Sequence, residues 1–60
     1  MMENQATVLT KFEVVFSGQT MMETCSFHDA ITYAFANNWD VYSPEMHCLI
    51  YDGLRDEFFI

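Results

Sequence analysis

Apolar residues recur along the chain in two rhythms, and the switch between them lays out the fold. From Val8 to Phe16, Phe12, Val14 and Phe16 fall at every second position while Lys11, Glu13 and Val15 take the other face. That is the period of a strand, in a run dense in β-branched and aromatic residues. Ser17-Gly18-Gln19 reads as a turn, because Gly18 tolerates the positive φ of a tight hairpin, and Thr20 to Cys25 then folds back as a second strand. With Gly18 and Gln19 as the turn residues, Phe16 faces Met21, Val14 faces Glu23 and Phe12 faces Cys25, while Val15 faces Met22 on the reverse side. A one-residue slip exchanges the faces of the second strand, and this register stays open.

The rhythm changes at Ser26. Ser26-Phe27-His28-Asp29 places an N-cap hydroxyl three residues before a carboxylate, a variant of the capping box that also suits the positive end of a helix. Phe27, Ala30, Ile31 and Ala34 follow at helical spacing, with Phe35 widening the stripe, and His28, Asp29, Thr32 and Ala36 form the outer face with Tyr33 at its edge. Asn37-Asn38 offers a left-handed C-cap and Trp39 the hydrophobic contact beyond it, which predicts a helix over 27–37.

Asp40 to Glu45 contains Tyr42-Ser43-Pro44 and reads as a loop or the ragged start of an edge strand. Met46 to Tyr51 is a further strand. Asp52-Gly53 is a hairpin signal that lets Leu54 to Ile60 return as a last, edge strand, its centre charged at Arg55-Asp56-Glu57. The expected architecture is α+β, a small antiparallel sheet with one helix packed on it, in the order ββαββ or, with a loose C-terminus, ββαβ. A single domain accounts for the chain, with a hairpin over 8–25, the helix over 27–37, a strand or hairpin over 46–60, and residues 1–7 expected to be disordered.

Composition sharpens this picture. Nine carboxylates stand against Lys11 and Arg55, a formal charge of -7, while half the chain is apolar and ten residues are aromatic. The apolar fraction excludes a disordered acidic tail, and the charge opposes direct binding to nucleic acid or an anionic membrane. A basic protein surface is the expected partner. No apolar run approaches the ~18 residues of a membrane span, and cytoplasmic location is the expectation. A core this small contributes roughly 3–5 kcal/mol, and ten rings exceed what one three-turn helix can cover, so a homodimer is expected.

Chemistry is sparse. Cys25 and His28 with His47 and Cys48 are residue types that bind zinc, but adjacent residues on a strand point to opposite faces, which argues against His47 and Cys48 sharing an ion. Both cysteines read as small buried hydrophobes, and Met21, Met22 and Met46 as core filling. Cys25 beside His28 is the only local nucleophile and base, with little room for a closed pocket around them, so a non-catalytic, cofactor-free chain is expected.

The strand Phe12-Glu13-Val14, the helix start Ser26-Phe27-His28-Asp29 and Asn37-Asn38 at its end, over residues 11–51, resemble the small dimeric uracil-DNA glycosylase inhibitors of Bacillus phages. The resemblance implies a homodimer that mimics DNA and blocks the enzyme's DNA-binding cleft, with Phe27, Tyr33 and Phe35 as pocket residues. Glu23, Asp29, Asp40 and Glu45, near the helix ends and the following loop, are the charges expected to face the partner. Phage inhibitors of RNA polymerase or of CRISPR effectors share the same general character. An acidic structural or assembly subunit is the reading from a different class.

Overall fold

Residues in left-handed backbone stand at every chain reversal among the described residues but the entry to the helix. The computed structural model describes residues 10–59, and the expectations for 1–7, for the first residues of the hairpin and for Ile60 lie outside them. The elements are β1 (Phe12–Phe16), β2 (Gln19–Thr24), α1 (Phe27–Asn37), β3 (Asp40–Ser43), β4 (Cys48–Asp52) and β5 (Glu57–Phe58). All strands pair antiparallel in one sheet of order β2-β1-β3-β4-β5. The α+β class is as expected, with five strands in place of four.

The first turn differs from the expected one. Ser17 (φ 53°) and Gly18 (φ 77°) are its two central residues, both left-handed as a type I′ hairpin requires. Phe16 therefore pairs with Gln19 and Val15 with Thr20, after which the register shifts so that Val14 meets Met22, Glu13 meets Glu23 and Phe12 meets Thr24. Met21 is the extra residue of this bulge. Without it Phe12 would face Glu23, so the bulge brings Met22 to the core side and turns Glu23 away from it. Cys25 falls beyond the strand and Cys48 at the first residue of β4, and both thiols are exposed rather than buried. Of the three methionines, only Met22 packs against the core, while Met21 and Met46 are exposed.

The helix has the expected bounds because its signals are local. Ser26 Oγ accepts from the Asp29 amide at 3.2 Å, Asn38 takes φ 58°, and the Trp39 amide donates to the Ala34 carbonyl at 3.0 Å. Its centre is made of Ala30 and Ala34, both fully buried, which lets the helix lie close on β1, β2 and β3. Phe27 and Phe35 flank that line only partly covered, Phe27 edge-on to Phe12 at 5.4 Å between ring centroids. Phe12, Val14, Val41, Ile50 and Tyr51 complete the core.

Asp40–Ser43 is a central strand rather than a loop or an edge, paired with β1 on one side and β4 on the other. Pro44 lies just past its end, in a turn where His47 is left-handed, so its missing donor costs no ladder bond. The strand expected from Met46 accordingly starts at Cys48. A bulge places Ile50 as an extra residue between Leu49 and Tyr51, and both Ile50 and Tyr51 are buried. The last hairpin closes on Asp52 and Glu57 through a four-residue loop over 53–56, so Leu54 to Asp56 are not strand. Phe35 of α1 and Phe58 of β5 cover Tyr51 at 5.1 and 4.7 Å between centroids.

Gly53 lies against the preceding junction so closely that a Cβ there would sit 2.1 Å from the Trp39 carbonyl oxygen and 2.6 Å from the Asn38 carbonyl carbon. Gly53→Ala is expected to cost about 3 kcal/mol in urea denaturation, the upper range of overpacking, because backbone must move. Gly18→Ala, with open space around it, is expected to cost only about 1 kcal/mol, the strain of an L-residue in left-handed backbone.

Candidate functional site

Two elements that the bulge and the N-cap hold in place converge on a shallow groove. Glu23 lies on β2, the edge of the sheet, and Asp29 in the first turn of α1, with Tyr33 one turn further along the same face of the helix. Met22, Glu23, Thr24, Asp29, Thr32 and Tyr33 line an open groove of about 400 Å³ between strand and helix. Its walls are tied together where Thr24 Oγ1 accepts from the Ser26 amide at 3.1 Å, and Thr32 is turned by donating to the His28 carbonyl at 2.8 Å. Tyr33 is 45% exposed with its ring 6.0 Å from that of Trp39. Glu23 and Thr24 also line a second hollow with Thr10, Lys11 and Cys25, and there Lys11 Nζ stands 3.5 Å from Glu23. At half exposure on both sides this pair holds Glu23 only weakly.

Three of the seven residues expected to face a partner, Glu23, Asp29 and Tyr33, thus meet in one groove. Phe27 and Phe35 do not line it. Asp40 and Glu45 serve the chain itself. Glu45 accepts from the Thr10 hydroxyl at 2.7 Å, the Thr10 amide at 2.8 Å and the Lys11 amide at 3.2 Å, fastening the turn after β3 to the residues that lead into β1. The Thr10 hydroxyl, then its amide, lower the Glu45 pKa from the usual 4.5. Asp40 Oδ1 accepts from the Gly53 amide at 2.8 Å. In the same loop Asp52 Oδ1 accepts from Leu54 and Arg55, and the Tyr51 hydroxyl donates to Asp56 at 2.6 Å. The bond to Asp56 above all, then burial and the charges of Asp56, Asp52 and Asp40, push the Tyr51 hydroxyl from 10.0 up to about 12.

Sequence reasoning missed Thr32 and Met22 as groove residues, although Asp29 and Tyr33 at i, i+4 were a signal for that face. Cys25, His28, His47 and Cys48 are not brought together, and among the described residues no three His, Cys, Asp or Glu side chains are placed to hold a metal ion. No described helix is long and apolar enough to cross a membrane. No protein-family model, curated protein or solved structure matches the chain.

The two in-chain acids give opposite pH signatures. A depressed pKa makes the Glu45 contribution complete above pH 4.5 and lost as pH falls through the folded value. Glu45→Gln is therefore expected to lower the urea midpoint at pH 7, with the gap to the parent protein closing at pH values below 4.5. The raised pKa of Tyr51 makes its contribution complete below pH 10.0 and lost as pH climbs toward 12. The gap between the parent protein and Tyr51→Phe should close over that alkaline range.

Proposed function

We propose that the protein is a small acidic inhibitor that binds a basic, nucleic-acid-binding surface of another protein, with its carboxylates standing in for phosphates and an exposed ring for a base. The observation that supports this reading is the groove itself. Glu23 and Asp29 sit on a strand and a capped helix rather than on loops, flanking a half-exposed tyrosine. Rigid placement lowers the cost of ordering an interface, and unlike charge across it speeds encounter. Binding is the role proposed, without catalysis. Uracil-DNA glycosylase, the enzyme the sequence resemblance implies, is the first target to test, and RNA polymerase and CRISPR effectors are further candidates of the same kind.

The exposed edge of β2 and six partly exposed rings, Phe16, Phe27, Tyr33, Phe35, Phe58 and Phe59, favour a second reading, a structural subunit that completes a larger assembly. Salt separates the two. Inhibition of uracil excision is expected to weaken steeply as salt rises from about 0.05 M to about 0.5 M, where the screening length falls below the span of the groove. Glu23→Gln with Asp29→Asn should weaken binding at least tenfold, about 1.4 kcal/mol, and Tyr33→Ala by about 2 kcal/mol if it is the anchor. A salt-insensitive stoichiometric complex, unaffected by these substitutions, would favour the assembly subunit.

A further inference from the structure

The sheet ends at β2, a strand whose outer side pairs with nothing among the described residues. Exposed edges are ordinarily blunted by lysine, proline or a bulge. Gln19–Thr24 holds neither lysine nor proline, and its bulge at Met21 leaves Met22 to Thr24 in regular register with Phe12 to Val14. Hollows open on both faces of that regular stretch. The groove with Asp29 and Tyr33 lies on the helix side, and a hollow of about 470 Å³ that holds Lys11 and Cys25 lies on the other. Glu23 and Thr24 border both. Successive side chains of a strand point to opposite faces, so two neighbouring residues of a segment paired to this edge reach the two hollows.

We infer that β2 takes an extended basic segment of the partner protein as a sixth strand, its main chain bonded to the edge and an arginine or lysine laid along Tyr33 toward Asp29. In such strand addition the backbone bonds give affinity and the flanking hollows select the side chains. Charge decides their sign. Glu23 stands directly opposite Glu13 on β1, a like-charge pair that works against the sheet, and Lys11, 3.5 Å from Glu23 at half exposure, offsets it only weakly. Asp29 carries the same sign on the helix side, so an acidic segment is repelled from both faces. A second copy is refused for the same reason, because two β2 edges laid together bring their acidic flanks together. Tyr33, 45% exposed, offers its ring to the stem and charge of a cation. The inference rests on the proposed reading of a basic partner and adds the form in which that partner is held.

The probe is an acetylated six-residue peptide of alternating arginine and threonine, the length of β2, set against an oligomer of N-substituted glycines with the same side chains and no backbone N–H. The peptide should bind the full chain saturably with a dissociation constant below about 1 mM, and the oligomer at least tenfold more weakly. Amide hydrogen exchange within β2, read by nuclear magnetic resonance, should slow on binding, while that of β5 at the opposite edge stays as it was. Glu23→Lys should weaken the peptide at least tenfold with circular dichroism unchanged, since the new amine faces Glu13. Asp29→Asn should weaken it several-fold and spares the helix cap, where Ser26 takes the Asp29 amide and not its side chain. An absence of binding up to about 1 mM would overturn the inference, as would equal binding of the oligomer, β2 amides left unprotected, or binding that neither substitution weakens. Protection of β2 that grows with protein concentration and needs no peptide would overturn it too, placing a second copy on the edge. Any of these results with salt-sensitive inhibition of uracil excision intact removes the added strand and leaves the proposed function standing; strand addition without inhibition does the reverse.

Discussion

The close passage of Gly53 beneath the Trp39 carbonyl is the constraint on which the far half of the fold depends. Trp39 follows the left-handed residue that ends the helix, and Asp40, the next residue, opens β3 and takes the Gly53 amide. One point thus joins the helix end, the central strand and the last hairpin. The helix lies over β1, β2 and β3 and reaches Tyr51 of β4 through Phe35, which roofs that ring together with Phe58 of β5. With only two residues, β5 has little ladder to hold it, and the loop that precedes it sets where Phe58 lies.

Hydrogen bonds to carboxylates divide the acidic residues into two groups with different work. In a chain of this size, turns and strand ends leave backbone amides that regular structure does not satisfy, and each needs an acceptor when shielded from water. Glu45, Asp40 and Asp52 supply it, and Asp56 takes the buried Tyr51 hydroxyl. These carboxylates keep their charge, but their oxygens are engaged within the chain, so fewer of them are free to turn toward a partner than the sequence alone suggests. Glu23 and Asp29 are what remains beside the groove, one on the edge strand and one over the positive end of the helix.

The apolar surplus is divided in the same way. Alanines at the centre of the helix bring it close to the sheet, so the large rings cannot all fit beneath and are displaced to the flanks. Tyr33 goes to the acidic groove, Phe16 and Trp39 to the end that carries Leu54, and Phe35 with Phe58 to the open side of the core. The acidic groove and the Phe16–Trp39 hollow are thus separate surfaces.

The helix was legible in the sequence from Ser26 to Asn38, because capping, spacing and the left-handed stop are decided within a few residues of one another. The α+β class and the excess of rings over coverable area were legible as well, since they follow from periodicity and arithmetic. Strand register was not. A single extra residue at Met21 or at Ile50 decides which side chains share a face, and that depends on the partner strand, which local sequence does not specify. The same holds for β3, where Tyr42-Ser43-Pro44 resembles an edge until neighbours on both sides pair with it, and for Cys25, exposed once Thr24 takes the place opposite Phe12. What only the tertiary structure decided was which carboxylates are spent on backbone amides and which face outward, because a carboxylate meets its donor across as many as 35 residues of chain.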